Sequence, residues 1–515
     1  MSKILLPAAR WELLESQLKT IAPEMFNSEG RVLNHIAGEW KNSGHAKPYL
    51  SPVDGTELGH LPMLSSAEGK QAVQAAALEF ADWRKVDLDT RRAKVAAAVA
   101  ALRQHRDLLA YLLTWEIGKP VAQSRVSVDR CIEGVEWYLE KIEDFQQNRP
   151  PLGVMSNIAS WNYPMSVLFH TMLVQALCGN AVVAKVPTDG GLYTLSLAVA
   201  LARRAGLPFT LISGSGGELS EALIESPELA AVSYVGGKSH GRGISLNLIE
   251  NRKRYMLEME GVNPYGIWEY SHWADLEGQI KKGYEYAKQR CTAYPRWVVQ
   301  RHLFPEFLDT YMSAVRSLRI GHPLLVEAGA TEAPLVDFGP LINNRKVEEL
   351  RGHIADALSK GAVKLHKSEL NEAMFLPGQD ISAYLAPVAL LGVPKNAHLY
   401  YNEPFGPVDT FIVVDTLDEL VNEMNISNGN LVSSIATDNR DVATRVAPEL
   451  RSFKYGINKL RSRGDKEEAF GGLGQSWKGC YVGGEYLVQA LTEAAPGHRL
   501  YGNFHDYTLL PEGVN

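Results

Sequence analysis

Hydrophobic and polar positions along this chain fall into two successive textures. In the first, apolar residues recur at helical spacing. Val73, Ala76, Ala77, Phe80 and Trp83 form one stripe behind the capping pattern Ser65-Ser66-Ala67-Glu68, and Thr90–Leu113 carries a second stripe. Gly118-Lys119-Pro120 stops the helix that follows, because glycine suits a helix end and proline cannot continue one. Upstream, His35–Trp40 and Pro48–Met63 read as short strands around an Asp54-Gly55 turn, and residues 1–30 as a peripheral helical segment.

From Pro151 the texture changes to alternating β and α. Strands are expected at Gly153–Ser160, Ala181–Val186, Pro208–Ser213, Ala230–Val235 and Arg254–Met259. Between them come helices at Pro164–Cys178, Leu192–Ala205, Glu218–Ser226 and His240–Glu250. Strands separated by helices of this size predict a parallel sheet covered on both faces, which binds nucleotides beyond the carboxyl ends of its strands. A second β/α stretch runs from Asn263 to Gly456. It has a long helix at Trp273–Arg290, a strand at Arg296–Gln300, a helix at Pro305–Leu318 and strands near Ala362–Leu365, Ala386–Leu391 and Thr410–Val414. A Gly-rich section (Gly471–Gly484) and an aromatic tail close the chain, and no internal repeat is visible.

Composition narrows the classes. The 515 residues carry Lys+Arg 52 against Asp+Glu 59, a net charge of -7, with 45% hydrophobic residues. No basic excess argues for nucleic acid, and a large core is within reach. Four scattered cysteines do not make a disulfide scaffold, no Cys/His cluster suggests a metal, and the N-terminus lacks an apolar signal core. A cytoplasmic protein is expected. Pro150–Ala184 has no charged residue, yet Asn157, Ser160, Asn162, Pro164 and Gln175 interrupt it. It therefore reads as buried strand–loop–helix and not as the roughly 20 apolar residues of a membrane span.

Candidate chemistry begins with glycine turns. Gly214–Leu219 starts a dinucleotide fingerprint and lacks its last glycine, whereas Gly236-Gly237-Lys238-Ser239-His240-Gly241 follows a strand and opens a helix, where backbone amides can hold a phosphate. Cys291 ends a predicted helix beside Arg290. Glu258, at a strand end facing the same crevice, is a candidate base, and Asn162 supplies an amide donor. A thiolate, a carboxylate and an oxyanion donor are the minimum set for acyl-type covalent catalysis.

SWNYP (Ser160–Pro164), AKVP (Ala184–Pro187), LEMEG (Leu257–Gly261), QRC (Gln289–Cys291), NEPFGP (Asn402–Pro407) and FGGLGQS (Phe470–Ser476) stand in an order that resembles the aldehyde dehydrogenase superfamily, as does EIGKP (Glu116–Pro120). The resemblance spans about Ile36 to Thr492. It implies an α/β fold with a Rossmann-type cofactor domain, an α/β catalytic domain and a small β oligomerisation extension. It also implies NAD- or NADP-dependent oxidation of an aldehyde to an acid. Cys291 would attack the aldehyde, Asn162 and the Cys291 N–H would hold the oxyanion, and Glu258 would activate the hydrolytic water. Ser160, Trp161, Lys185, Thr188, Gly236, Gly241, Glu403 and Phe405 would contact the cofactor: Lys185 at the adenosine ribose, the Gly236–Gly241 turn under the pyrophosphate, Glu403 on the nicotinamide ribose and Phe405 against the ring.

Several positions depart from the family pattern. Glu260 and Lys288 stand where glycine is usual, and Gly237 where a serine touches phosphate, with Lys238 or Ser239 to compensate. Glu258 and Glu260 are expected on one side of a strand, each raising the other's pKa. Thr188 in place of a glutamate leans toward NADP tolerance, although Asp189 follows. Tyr163, Val167 and His170, then Lys459, Arg461 and Arg463, would line the aldehyde entrance. Their charge suits an acidic aldehyde, or it is a solvated loop balanced by Asp465, Glu467 and Glu468. The resemblance also implies a homodimer or homotetramer, with no nucleic acid or membrane partner. Its expected division is an N-terminal segment 1–30, a cofactor domain 31–129 and 146–260, a catalytic domain 261–456, a return segment 457–483, and an extension and tail at 130–145 and 484–515. Two other readings stay open: a CoA-acylating dehydrogenase, which Glu258 disfavours, and a catalytically silent interaction protein.

Overall fold

The computed structural model describes residues 3–427, 429–462, 465–494 and 499–504. Strand β1 (Lys3–Leu5) leads into helix α1 (Trp11–Ile21), whose buried face (Trp11, Leu14, Leu18) packs into the main core. Strands β2 (Asn34–Ile36), β3 (Glu39–Lys41), β4 (His45–Leu50) and β5 (Glu57–Met63) follow. Helix α2 (Ser66–Trp83) opens with the expected capping box: Ser65 accepts from the Glu68 N–H and Glu68 reaches back to the Ser65 N–H. The stripe expected as one helix over Thr90–Leu113 is two, α3 (Leu88–Gln104) and α4 (Arg106–Ile117), broken at His105. Gly118, in the left-handed region at φ 69°, caps α4 as the stop signal predicts.

Helix α5 (Val121–Gln146) absorbs the whole of Arg130–Phe145, the segment assigned to an oligomerisation extension. That segment is helical, and Tyr138 anchors it through a hydroxyl donated to the Gly484 carbonyl.

The β/α series then folds as its pattern requires: β6 (Val154–Ile158), α6 (His170–Leu177), β7 (Ala181–Lys185), α7 (Leu192–Arg204), β8 (Phe209–Ile212), α8 (Gly216–Ser220), β9 (Leu229–Gly236), α9 (Lys238–Glu250) and β10 (Arg254–Met259). Their parallel core has the order β10-β9-β6-β7-β8, the Rossmann arrangement in which the winding direction reverses between β6 and β9. Antiparallel β2 and β3 extend one edge. On the other edge lie β19 (Trp477–Cys480) and β20 (Gly502–Asn503), giving nine strands.

A second sheet of seven strands has the order β14-β15-β16-β12-β11-β17-β18. Its members are β11 (Pro264–Ile267), β12 (Arg296–Gln300), β14 (Val363–Lys367), β15 (Val388–Leu391), β16 (Val408–Val414), β17 (Asn430–Ala436) and β18 (Ser452–Ile457). All pairings are parallel except β14 with β15. Helices α10 (Trp273–Gly283), α11 (Phe304–Arg316) and α12 (Asn344–Ser359) belong to this half, and β13 (Leu325–Glu327) pairs with β1. One apolar core spans both sheets. Among the described residues, no helix is long and apolar enough to cross a membrane.

Candidate active site

A cavity of about 240 Å³ opens at the reversal point of the nine-stranded sheet. Its floor comes from the carboxyl ends of three strands: Ala159 and Ser160 after β6, Val235–Gly237 at the end of β9, and Glu258–Glu260 at the end of β10. The opposite wall is supplied from before the amino ends of seven-stranded-sheet elements, with Cys291 ahead of β12 and Glu403 and Phe405 ahead of β16. Trp161, Asn162, Tyr163, Val167, Ile342 and Lys346 complete the lining. Residues far apart in sequence thus meet where such a sheet takes its ligand.

Cys291, partly exposed, sits on a turn and not at a helix end. The helix expected to run to Arg290 stops at Gly283, and Tyr286, Ala287 and Lys288 then take left-handed φ values of 58°, 52° and 59°. Three consecutive non-glycine residues there cost roughly 1–2 kcal/mol each, which the surroundings must offset. Tyr286 donates its hydroxyl to the Ile117 carbonyl at 2.9 Å. Gln289 is buried and bonds Pro340 O and the Ile342 N–H. Past the turn, Asn263 Nδ2 donates to the Cys291 and Ala293 carbonyls at 2.7 and 2.8 Å.

Asn162 is 4% exposed, and its Nδ2 donates to the Gln289 carbonyl at 2.9 Å. Behind it, Lys119 is buried, donates to the Asn162 carbonyl at 2.8 Å, and lies 3.9 Å from the Tyr163 ring centroid and 4.7 Å from that of Tyr286. Burial holds its ammonium well below the usual lysine range. In the sequence Lys119 reads as part of a helix stop and of the EIGKP motif; its contacts with the Asn162 carbonyl and the Ser127 hydroxyl are set by the fold and not by that motif.

The cavity is acidic. Glu403 is buried with both carboxylate oxygens lacking any hydrogen-bond partner. Burial raises its pKa well above the ordinary value, Glu260 and Glu258 push the same way, and Lys346 and Lys238 oppose them. Two buried carboxylate oxygens of this kind suit hydroxyl donors, such as those of a ribose. Glu260 Oε1 accepts from the Lys238 N–H at 3.3 Å, at the amino end of α9. Lys346, missed from sequence, enters from the first turns of α12 behind the Asn343 cap and pairs with Glu349.

The remaining cofactor candidates separate into two groups. Ser160, Trp161, Gly236, Glu403 and Phe405 line the cavity. Phe405 is itself left-handed (φ 50°), with its ring edge-on to Trp161 at 5.8 Å between centroids. Lys185 and Thr188 stand outside the lining, joined by Nζ–Oγ1 at 3.2 Å. Burial lowers the Lys185 pKa to about 8, Lys47 adds to this, and Asp189 opposes it. Gly241 also lies outside: a Cβ there would collide with Met259, so this glycine lets α9 approach the sheet closely.

On the aldehyde side, Tyr163 and Val167 are in the wall. His170 packs instead on α5, against Gly134 and edge-on to Tyr138. Arg461 is turned away into a pair with Glu468, its Nη2 reaching the two carboxylate oxygens at 3.0 and 2.8 Å, the balanced-loop alternative. Arg463 lies outside the described residues. The cations that act on the Tyr163 hydroxyl are Arg290 and Arg130, which partly offset the burial that pushes its pKa up to about 12.

Known proteins resemble this chain over most of its length. The chain is 28% identical to the glutarate-semialdehyde dehydrogenase of Pseudomonas putida, over 82% of this chain and 89% of that protein. It is 27% identical to a 3-sulfolactaldehyde dehydrogenase of Pseudomonas putida, over 86% and 92% respectively. The crystal structure of the NADP-dependent glyceraldehyde-3-phosphate dehydrogenase of Bacillus halodurans, complexed with NADP, superposes with a TM-score of 0.80 at 26% identity, covering 90% of this chain and 98% of that one. Residues 40–495 match the model of the aldehyde dehydrogenase family, and the chain belongs to that family.

Proposed function

We propose that Cys291, Asn162 and Glu258 carry out the NAD(P)-dependent oxidation of an aldehyde bearing an anionic group to its carboxylic acid. The observation that carries this reading is the single cavity in which these three meet Glu403 and Phe405 at the reversal point of the sheet. Ser160, Trp161, Gly236, Glu403 and Phe405 would hold the cofactor beside Cys291, and the two bare Glu403 oxygens fit a pair of ribose hydroxyls. When bound, the nicotinamide supplies the hydride acceptor.

The chain's own residues do the rest. Cys291 Sγ forms a bond to the aldehyde carbon, and the carbonyl oxygen becomes an oxyanion. One amide hydrogen of Asn162 is committed to Gln289 O, so the other is aimed at that oxyanion, with the Cys291 N–H as second donor. Once the acyl group rests on sulfur, Glu258 takes a proton from the attacking water. The C–S bond then breaks and Cys291 leaves as a thiolate. Support for an anionic substrate comes from the named substrates of the three relatives and from the Arg290 and Arg130 charges near Tyr163.

This reading takes residues 31–129 and 146–260 as the cofactor part and 261–456 as the catalytic part. It places the enzyme in the cytoplasm as a homodimer or homotetramer. Absorbance of reduced nicotinamide tests the activity, using neutral, carboxylated and phosphorylated aldehydes with both cofactors. Turnover should favour the anionic aldehydes and vanish in Cys291→Ala. Equal turnover of neutral and anionic aldehydes removes the substrate class, and turnover surviving Cys291→Ala removes the mechanism.

A further inference from the structure

Lys288 occupies a left-handed position (φ 59°) that a glycine would take without steric cost, yet its side chain is buried, at 2% exposed. Its ammonium contacts Asp409 Oδ1 at 2.5 Å and the Tyr294 carbonyl at 2.9 Å, and lies 4.4 and 5.7 Å from the ring centroids of Tyr284 and Trp297. The other oxygen of Asp409, itself fully buried, accepts the hydroxyls of Tyr284 at 2.6 Å and Tyr311 at 2.9 Å. Every partner of this charge pair is thus itself held.

The two ends of the pair are what give it meaning. Lys288 lies on the turn that carries Gln289, whose carbonyl orients Asn162, and Cys291. Its own carbonyl accepts the Arg290 N–H at 2.8 Å. Asp409 lies in β16, directly after the loop that bears Glu403 and Phe405. One salt bridge therefore ties the nucleophile's turn to the strand that follows the Glu403–Phe405 loop, within the same wall of the cavity. A lysine merely tolerated at a glycine position would have no reason to keep a buried charge; its stem would run to solvent.

We infer that the Lys288–Asp409 pair is a brace that fixes the spacing between the Cys291 turn and the Glu403–Phe405 loop, so that Lys288 is a positioning residue for thiol attack. This rests on the reading of Cys291 as the nucleophile. A small misplacement of a reacting group lowers turnover steeply while leaving binding elsewhere intact. The brace should therefore show in kcat and in thiol reactivity, and not in cofactor affinity.

The test uses the full-length protein and the double variant Lys288→Gly/Asp409→Asn, which keeps the turn permissible and removes both buried charges together, so neither is left unpaired. Thermal unfolding, cofactor Kd, kcat and the pH profile of Cys291 alkylation by iodoacetamide are read in parallel. The brace predicts a folded protein with cofactor Kd within about twofold of the parent, kcat down at least about tenfold, and a displaced alkylation profile. A double variant that keeps kcat and the alkylation profile within about twofold overturns it, as does one that loses cofactor affinity and kcat in equal proportion. If the double variant does not fold, Lys288→Met/Asp409→Asn fills the volume of the lysine stem, again removes both charges together and retains an acceptor for both tyrosines. It should lower kcat about threefold or more with unchanged cofactor Kd, and an unchanged kcat refutes the brace. Turnover surviving Cys291→Ala would refute the nucleophile instead, and the alkylation profiles would still decide whether the brace sets the reactivity of that thiol.

Discussion

Asn162 Nδ2 lies 2.9 Å from the carbonyl oxygen of Gln289, two residues before Cys291. The bond fixes which face of the carboxamide is the donor face and leaves its second hydrogen for the substrate. Asn162→Ala should therefore lower kcat by about 10²–10³, the range for one lost oxyanion donor, while the aldehyde KM changes little. Iodoacetamide should still label Cys291, since alkylation develops no oxyanion. Unchanged kcat in the variant would remove Asn162 from the mechanism.

Glu403 supplies a proton-linked prediction. Burial, then Glu260 and Glu258, raise its pKa well above the usual value. Between the ordinary carboxylate pKa and the raised one, the folded chain keeps a proton that the unfolded chain loses, so this group's contribution to stability falls as pH rises. Glu403→Gln removes that loss and should raise the unfolding midpoint relative to the parent more at pH 8 than at pH 5. Ribose hydroxyls favour the ionised form, so cofactor binding by the parent should release a proton, detectable by calorimetry in buffers of different ionisation enthalpy. The variant should release less and show a cofactor KM raised by about tenfold or more. Equal proton release in both proteins would show that Glu403 does not receive the ribose.

Lys185 predicts a pH-dependent cofactor preference. Its pKa is lowered to about 8, first by burial and then by Lys47. In the cofactor reading, its charge meets a 2′-phosphate below pH 8 and fades above it. The ratio of kcat/KM for NADP to that for NAD should fall between pH 7 and 9 in the parent and stay level in Lys185→Met. The folded chain gives up this proton before the unfolded chain does, so the group's contribution to stability rises with pH from about 8 toward the ordinary lysine value. A ratio that stays level in the parent would place Lys185 away from the 2′ position.

The order of elements was legible because it depends on local signals: the capping box at Ser65, the Gly118 stop, and the βα alternation from Val154 to Met259. The motifs likewise placed Cys291, Glu258, Asn162, Glu403 and Phe405 around one cavity. What escaped was set by distant partners. Glu285–Arg290 has ordinary helix-forming residues, yet Asp409, Ile117 and Pro340 bend it into a left-handed turn. For Arg461 the sequence leaves two readings open, a substrate cation or a charge balanced by Asp465, Glu467 and Glu468, because it does not show which way Glu468 faces. His170 follows from the same blindness: one turn of helix decides between cavity wall and α5.

Glu260 is the departure whose consequence can be measured most directly. It lines the cavity, accepts the Lys238 N–H at the amino end of α9, and is the charge that raises the Glu403 pKa most after burial. That helix end is where backbone donors would receive a pyrophosphate, so the carboxylate competes for a donor and repels the ligand's charge. Glu260→Gln keeps an acceptor of the same size and removes the charge. The cofactor KM should fall by about threefold to tenfold at low salt, and the gain should shrink toward unity at about 1 M salt, as expected for a partly exposed charge. The same substitution weakens the like-charge hold on Glu403, so the pH–rate profile should move to lower pH. If neither the profile nor the cofactor KM moves, Glu260 is a passive replacement for glycine and the acidity of the cavity is set by Glu258 and burial alone.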